Sequence, residues 1–363
     1  MVWNFAPDAP TVALPPHASP EVRLYSDKMP PPVDLIALRL GLSSFERLLD
    51  PLMARITSIR RHIALELGLV VPGVRFRDDR LLPADGYAID LHALEVARAE
   101  LRRDHVLAIA PEDRLAKLHG EKTTDPTYGM PGLWIEISQK EAAEALGCMI
   151  FDEISVIATQ LTEAVRVHAH ELLGMQEVKA LFDALAKSHP VVAESLPLSV
   201  AELHQVLQRL VRERVSIRDM VTILETLTRE APDTRDIETL TERVRVALQK
   251  VICKEHTNNE GAINVITVDP SIENMLLQGR EIGPEGAPFV IDPMAGQSVL
   301  QAIGCEVQKL QERGLQSILL TSPELRPAAV KLVARSFPKM VVLSWNEIPP
   351  RVNINPIGMV SAG

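Results

Sequence analysis

The stretch from Glu153 to Val178, E-I-S-V-I-A-T-Q-L-T-E-A-V-R-V-H-A-H-E-L-L-G-M-Q-E-V, constrains the fold of this chain more than any other. Ile154, Ile157, Leu161, Val165 and Leu172 recur at three- and four-residue steps, with Ala169 in the remaining turn. That spacing is the stripe of an amphipathic helix with one buried face. Gly174 is the expected C-cap, because glycine enters the left-handed region without a Cβ clash. Before this helix the chain reads as mixed α and β; after it, nearly everything to Cys253 reads as helix. The helix is therefore expected to join two architectures.

The same stretch contains His168, His170 and Glu171, which invites the reading of a metal-dependent hydrolase. A helical zinc site needs two histidines at i and i+4, so that both rings face one ion. The spacing here is i, i+2, which sets the rings about 200° apart around the helix. A second histidine in register with Glu171 is replaced by Gly174. The geometry argues against a metal, and the histidines read as structural.

At 363 residues the chain has room for two or three domains with their own cores. A net charge of −10 argues against a nucleic-acid partner, whose footprint is a basic face. Cys148, Cys253 and Cys305 are far apart and form no CxxC, which fits a reducing compartment without a disulfide framework. No apolar run reaches the ~18 residues of a membrane span, and Met1-Val-Trp-Asn-Phe lacks the features of a signal peptide. Residues 1–32 hold eight of the 27 prolines and read as an extended linker, with a short β segment near Val22–Tyr25.

In chain order, Asp50-Pro51 is the expected N-cap and first residue of a helix. Leu52, Ile56, Ile59, Ile63 and Leu67 form its stripe and Gly68 ends it. Val74–Arg77 and Tyr87–Arg98 alternate as half-buried strands do. From Asp104 to Asp152 a β-loop-β-α-β unit is expected: strands at His105–Ala110 and Leu133–Ile137, a helix at Gln139–Leu146, and a strand at Cys148–Phe151. Gly120–Pro131 reads as a fixed irregular loop, rich in Gly, Pro and Asp. Carrying Asp125 and Tyr128, it is a candidate recognition surface.

Three helical starts follow: the capping box Ser199-x-x-Glu202, Ser216 as an N-cap with Asp219 at N3, and Asp236. Short connections between them imply a small helical domain. The last hundred residues return to α/β. Strands are expected at Ile263–Val268, Phe289–Ile291, Ser317–Leu320 and, finally, Met340–Leu343. Helices are expected at Ser298–Glu312 and from Ser322-Pro323 to about Ser336. No Walker A, G-x-G-x-x-G, G-x-S-x-G or metal-ligand spacing occurs, and the acidic residues are scattered over helix faces. No enzyme activity, cofactor or metal is expected.

Several strings together carry a resemblance. They are Ile59-Arg-Arg-His-Ile-Ala-Leu-Glu-Leu-Gly68, Gly120-Glu-Lys-Thr-Thr-Asp-Pro-Thr-Tyr-Gly129, Val156-Ile-Ala-Thr159 and His168-Ala-His-Glu-Leu-Leu-Gly174. Arg214-Val-Ser-Ile-Arg-Asp219, Thr222-Ile-Leu-Glu-Thr-Leu227 and Val342-Leu-Ser-Trp-Asn-Glu347 complete the set. In this order they resemble the cytoplasmic domain of the type III secretion export-gate family, over about residues 33–358.

The resemblance implies four parts. An α/β first part, 33–103 plus 153–173, is interrupted by a small β-α-β insert, 104–152; a helical third part, 174–252, and a small α/β fourth part, 253–358, follow. It implies a docking platform for export chaperones carrying substrates, assembled as a ring of nine at the cytoplasmic face of the bacterial inner membrane. Membrane attachment would come only through an N-terminal half absent from this sequence. The implied chaperone site is Asp125, Tyr128 and Thr159, over an apolar floor of Ile109 and Val156. The family commonly has Phe where Tyr128 stands. HAHELLG and Val265-Ile-Thr-Val-Asp-Pro270 lean towards a flagellar system. A purely structural ring component is the remaining alternative.

Overall fold

A computed structural model describes residues 33–258, 260–281 and 293–361. The linker, its β segment at Val22–Tyr25 and the strand expected at Phe289–Ile291 lie outside the described residues.

The first sheet has the order β2-β1-β3-β4, with β1 Ile36–Leu40, β2 Val74–Asp78, β3 Gly86–Leu91 and β4 Leu94–Glu100. β1 runs parallel to β2 and antiparallel to β3. The crossover from β1 to β2 is helix Leu42–Leu67. It starts two turns earlier than Asp50-Pro51 implied, because Ser44 and Leu48 continue the buried stripe of Leu52, Ile56, Ile59, Ile63 and Leu67. Pro51 is accommodated inside the helix. Gly41 leads into it and only glycine fits there: a Cβ would lie 1.9 Å from the carbonyl oxygen of Pro83. Gly68 closes the helix at φ 81°.

The insert is a four-stranded antiparallel sheet of order β6-β7-β5-β8. Its strands are β5 His105–Ile109, β6 Glu121–Thr124, β7 Pro131–Glu136 and β8 Met149–Phe151. β6 is a correction: four residues of the expected irregular loop pair with β7, from Glu121 opposite Trp134 to Thr124 opposite Pro131. Side chains of a strand alternate faces. Val106 and Ala108 join Leu133, Ile135 and Ala143 in the insert's own core. Leu107, Ile109 and Trp134 point the other way, into the main core with Val156. Both faces of β5 are buried, which is why its sequence is apolar almost throughout.

The stretch 153–178 is broken rather than continuous. Helix Glu153–Val167 stops at His168, a single turn Ala169–Leu172 follows, and helix Met175–Ser188 begins anew. Gly174, at φ −84° and ψ 175°, occupies the N-cap position of that second helix and is not a left-handed C-cap. The periodicity concealed the break because Ala169 and Leu172 stay buried across it. Two carbonyls at the break are satisfied from helix Val200–Arg212. The ring Nε2 of His204 lies 2.8 Å from the oxygen of Leu173, and Gln208 donates to the oxygen of His170 at 2.9 Å.

The helical region follows its caps. Ser199 and Glu202 form the reciprocal box, and Asp236 caps Ile237–Ala247 by accepting from the Thr239 amide. Asp219, not Ser216, caps Met220–Glu230. The Ser216 hydroxyl instead donates to the carbonyl of Glu66 at 2.6 Å, and the Ile217 amide donates to that of Leu67. Extended residues before the helix thus stitch it to the end of helix Leu42–Leu67.

The final sheet is all parallel, with order β11-β10-β9-β12. Its strands are β9 Ala262–Val268, β10 Ile318–Thr321, β11 Val341–Ser344 and β12 Asn353–Val360. Met340–Leu343 is therefore not the last strand. β12 was hidden by Pro356 and Gly358, which sequence rules treat as breakers; both flank a register shift on an edge strand, where they are tolerated. Helix Pro270–Glu281 was also unforeseen, and the helix after Ser322 begins only at Arg326. The amide of Ser322 donates to the Glu273 carboxylate at 2.9 Å.

One face of this sheet (Ile263, Val265, Ile318, Leu320) packs on the main core, and the other forms a second core with its own helices. Between the helical region and the sheet lies a buried ion cluster. Arg326 binds Glu213 at 2.6 Å and also Glu242, while Arg245 binds Glu213 at 3.1 Å and Glu347 at 2.5 Å. Both arginines are about 98% or more buried, at 2% and 1% exposure.

Candidate partner-docking site around Tyr128

The turn joining β6 to β7 is built so that one aromatic ring is held outside it. The Asp125 amide donates to Met130 at 2.8 Å, and Gly129, at φ 72°, donates to the Asp125 carbonyl. The carboxylate of Asp125 accepts from the Tyr128 amide at 2.6 Å. Asp125 is only 6% exposed, so its role is to shape the turn. The turn is seated on helix Glu153–Val167 by Gln160, which donates to the carbonyl of Pro126 at 2.8 Å. The Tyr128 ring is left 44% exposed.

Around the ring the charges are mostly paired. Glu163 is bound by Arg214 at 2.7 Å, and Arg166 by Glu66 at 2.6 Å. Burial first, and then the charge of Glu163, push the Tyr128 hydroxyl above its ordinary range, so it is a neutral hydrogen-bonding group at physiological pH. Lys339, for which the described residues provide no carboxylate partner, holds its ammonium 5.0 Å from the ring centre.

Thr159 is half-buried and directly precedes Gln160. With Glu163 and Arg166 it falls on one helix face, at i, i+4 and i+7. Val156 and Ile109, at 3% and 4% exposure, lie beneath the surface in the main core. Their contribution is to support the helix and the insert from below. Tyr128, Thr159 and Asp125 thus belong to one turn-and-helix unit, with Tyr128 as its exposed aromatic group. Sequence reasoning missed Gln160 and Lys339. A glutamine within an apolar stripe was a usable signal for the first; nothing local signals that Lys339 reaches the insert.

At the break between the helices, Glu171 faces two histidines. The carboxylate of Glu171 lies 2.8 Å from Nδ1 of His168 and 3.7 Å from Nε2 of His170. Burial pulls His170 below its ordinary value, towards the neutral ring. Among the described residues no three His, Cys, Asp or Glu side chains gather as ligands for a metal ion, and no helix is long and apolar enough to cross a membrane.

Three small sheets, a helical region and an insert presenting a rigid aromatic turn define the class. The fold is that of a chain in the structure of the Chlamydia pneumoniae CdsV and CdsO protein complex, with a TM-score of 0.83 and 26% identity over 92% of this chain and 100% of that one. It is also the fold of the nonameric EscV cytosolic domain from the type III secretion system, with a TM-score of 0.72 and 22% identity over 92% and 98% of the two chains. The chain belongs to the FHIPEP family, whose model matches residues 17–353. It is 38% identical over 312 residues to the flagellar biosynthesis protein FlhA of Bacillus subtilis, covering 85% of this chain and 46% of that protein. It spans about half the length of the curated relatives it matches.

Proposed function

We propose that this chain is the docking platform of a type III protein-export gate, receiving export chaperones with their substrates on the surface around Tyr128. The observation that carries this reading is the exposed Tyr128 ring on a turn fixed by Asp125 and Gln160. An aromatic anchor on a rigid support loses little conformational entropy on binding. In this reading Tyr128 and Thr159 meet the partner, Asp125 shapes the turn, and Ile109 and Val156 form the supporting floor.

The proposal keeps the division into a linker, 1–32, and four parts: 33–103 with 153–173, 104–152, 174–252 and 253–358. It assigns a nine-membered ring at the cytoplasmic face of the bacterial inner membrane, supported by the nonameric state of the EscV domain. Membrane-crossing segments are placed in the portion that the longer relatives have beyond the matched span. The flagellar branch is favoured by the 38% identity to FlhA against 26% to CdsV. Partners from the export apparatus itself are supported by the complex of CdsV with CdsO.

Calorimetric titration with the cognate chaperone–substrate complex tests the reading. Tyr128→Ala combined with Asp125→Ala is expected to abolish measurable binding. Unchanged affinity in that variant would place docking elsewhere. Normal ring assembly without any chaperone binding by the wild-type chain would leave a purely structural ring component.

A further inference from the structure

A second concavity, of about 590 Å³, lies between helix Gln249–His256 and the segment that follows Glu347. Lys250 and Lys254 stand on its helical bank and Arg351 on the opposite one; Cys253, Pro349 and Val352 contribute apolar surface between them. The two banks are tied together. The Cys253 thiol donates to the carbonyl of Glu347 at 3.1 Å, and the carboxylate of Glu347 is held by Arg245 and by the Ser344 amide. The groove is thus pre-formed, and a ligand would not have to order it.

Its cations run against the sign of the chain's net charge of −10. The chain has 48 acidic residues against 38 Lys and Arg. Arg39, Arg47, Arg102, Arg166, Arg245 and Arg326 are each paired with carboxylates. Among the described residues Lys250, Lys254 and Arg351 have no such partner, although all three are exposed at one groove. Lys250 and Lys254 are also i, i+4 on one helix, an arrangement of like charges that weakens the helix.

We propose that this groove is a second docking site, separate from Tyr128, for an acidic peptide segment of a partner protein. One apolar side chain of the segment packs against Cys253, Pro349 and Val352, while carboxylates flanking it meet Lys250, Lys254 and Arg351. The size of the groove, within the range of ligand sites, and its apolar wall select a side chain rather than a bare inorganic anion. Cations on both banks select carboxylates on both sides of that side chain.

The test is fluorescence anisotropy of a fluorescein-labelled Glu-Asp-Leu-Phe-Glu-Asp peptide at low ionic strength, where exposed charge pairs are least screened. The wild-type chain is expected to bind it saturably. Loss of several charge-assisted contacts in the Lys250→Glu, Lys254→Glu, Arg351→Glu triple variant weakens binding about tenfold or more. All three residues are exposed, so the variant keeps the wild-type melting profile. Tyr128→Ala leaves the peptide's affinity unchanged, which separates this site from the chaperone surface. Replacing Leu-Phe by Gly-Gly weakens binding about tenfold through lost apolar burial, and millimolar inorganic phosphate does not displace the peptide. The proposal is overturned by absence of saturable binding, by equal affinity in the triple variant, or by loss of binding in Tyr128→Ala. Equal binding of the Gly-Gly peptide, or displacement by phosphate, also overturns it by showing an unspecific anion patch.

Discussion

The Lys339 ammonium stands 5.0 Å from the centre of the Tyr128 ring, so one side chain of the C-terminal α/β region reaches the exposed aromatic turn of the insert. A cation over an aromatic face at an exposed site contributes about 0.5–1 kcal/mol. A partner that packs on the ring must displace that cation. Lys339→Ala is therefore expected to tighten chaperone binding about threefold. In a double-mutant cycle with Tyr128→Ala the gain should vanish, because the two residues act through one contact. Weaker binding by Lys339→Ala alone would mean that Lys339 contacts the partner directly.

Asp125 acts on binding through the turn. Asp125→Ala removes the acceptor for the Tyr128 amide, at a cost of about 1 kcal/mol, and should speed hydrogen exchange at that amide while weakening chaperone affinity. Asp125→Asn keeps an acceptor oxygen and should restore most of both. Equal effects from the two substitutions would indicate that the negative charge itself meets the partner.

Much of the local structure around Tyr128 was legible in the sequence, because it is set within a few residues. The turn residues between Gly120 and Pro131, the stripe on helix Glu153–Val167 and the Asp and Ser caps all work within a few residues of themselves. What escaped was set by distant partners. The helix break at His168 depends on His204 and Gln208 meeting carbonyls at the break. Ser216 resembled an N-cap until the Glu66 carbonyl claimed its hydroxyl. β6 resembled loop because four polar residues, Glu121 to Thr124, pair with a strand whose opposite side is already occupied by β5. Lys339 meets Tyr128 only through the packing of the whole chain.

Gln208 provides a test of the break. Gln208→Ala leaves the His170 carbonyl without its donor, which should cost about 1 kcal/mol and lower the melting temperature without moving chaperone affinity. An unchanged melting temperature would show that the carbonyl finds another donor.

The ion cluster between the helical region and the final sheet should be the most sensitive part of the fold. Arg326→Ala strands Glu242 and leaves Glu213 with Arg245 alone; removing one partner of a buried pair costs about 3–5 kcal/mol. A loss below about 1 kcal/mol in chemical unfolding would mean that water reaches the cluster.

Acid should act on the same cluster. Burial alone would raise the carboxyl of Glu213, but Arg245 and Arg326 outweigh it and hold the group below its ordinary value. A carboxylate depressed in the folded state adds stability above its unfolded pKa, about 4.3. That stability is lost as pH falls through the lower folded value. Unfolding free energy should therefore drop below that pH, and Glu213→Gln should flatten the drop. An unaltered slope in the variant would assign the acid sensitivity to other carboxylates.

The most direct measurement is the affinity of the cognate chaperone–substrate complex for Tyr128→Ala and Tyr128→Phe, titrated beside the wild type. Truncating an aromatic anchor costs ~2 kcal/mol or more, so Tyr128→Ala should bind about 30-fold more weakly. Tyr128→Phe keeps the ring and should stay within about threefold of wild type. Both variants should melt as the wild type does, since the ring is exposed. Wild-type affinity in a correctly folded Tyr128→Ala protein would contradict the account.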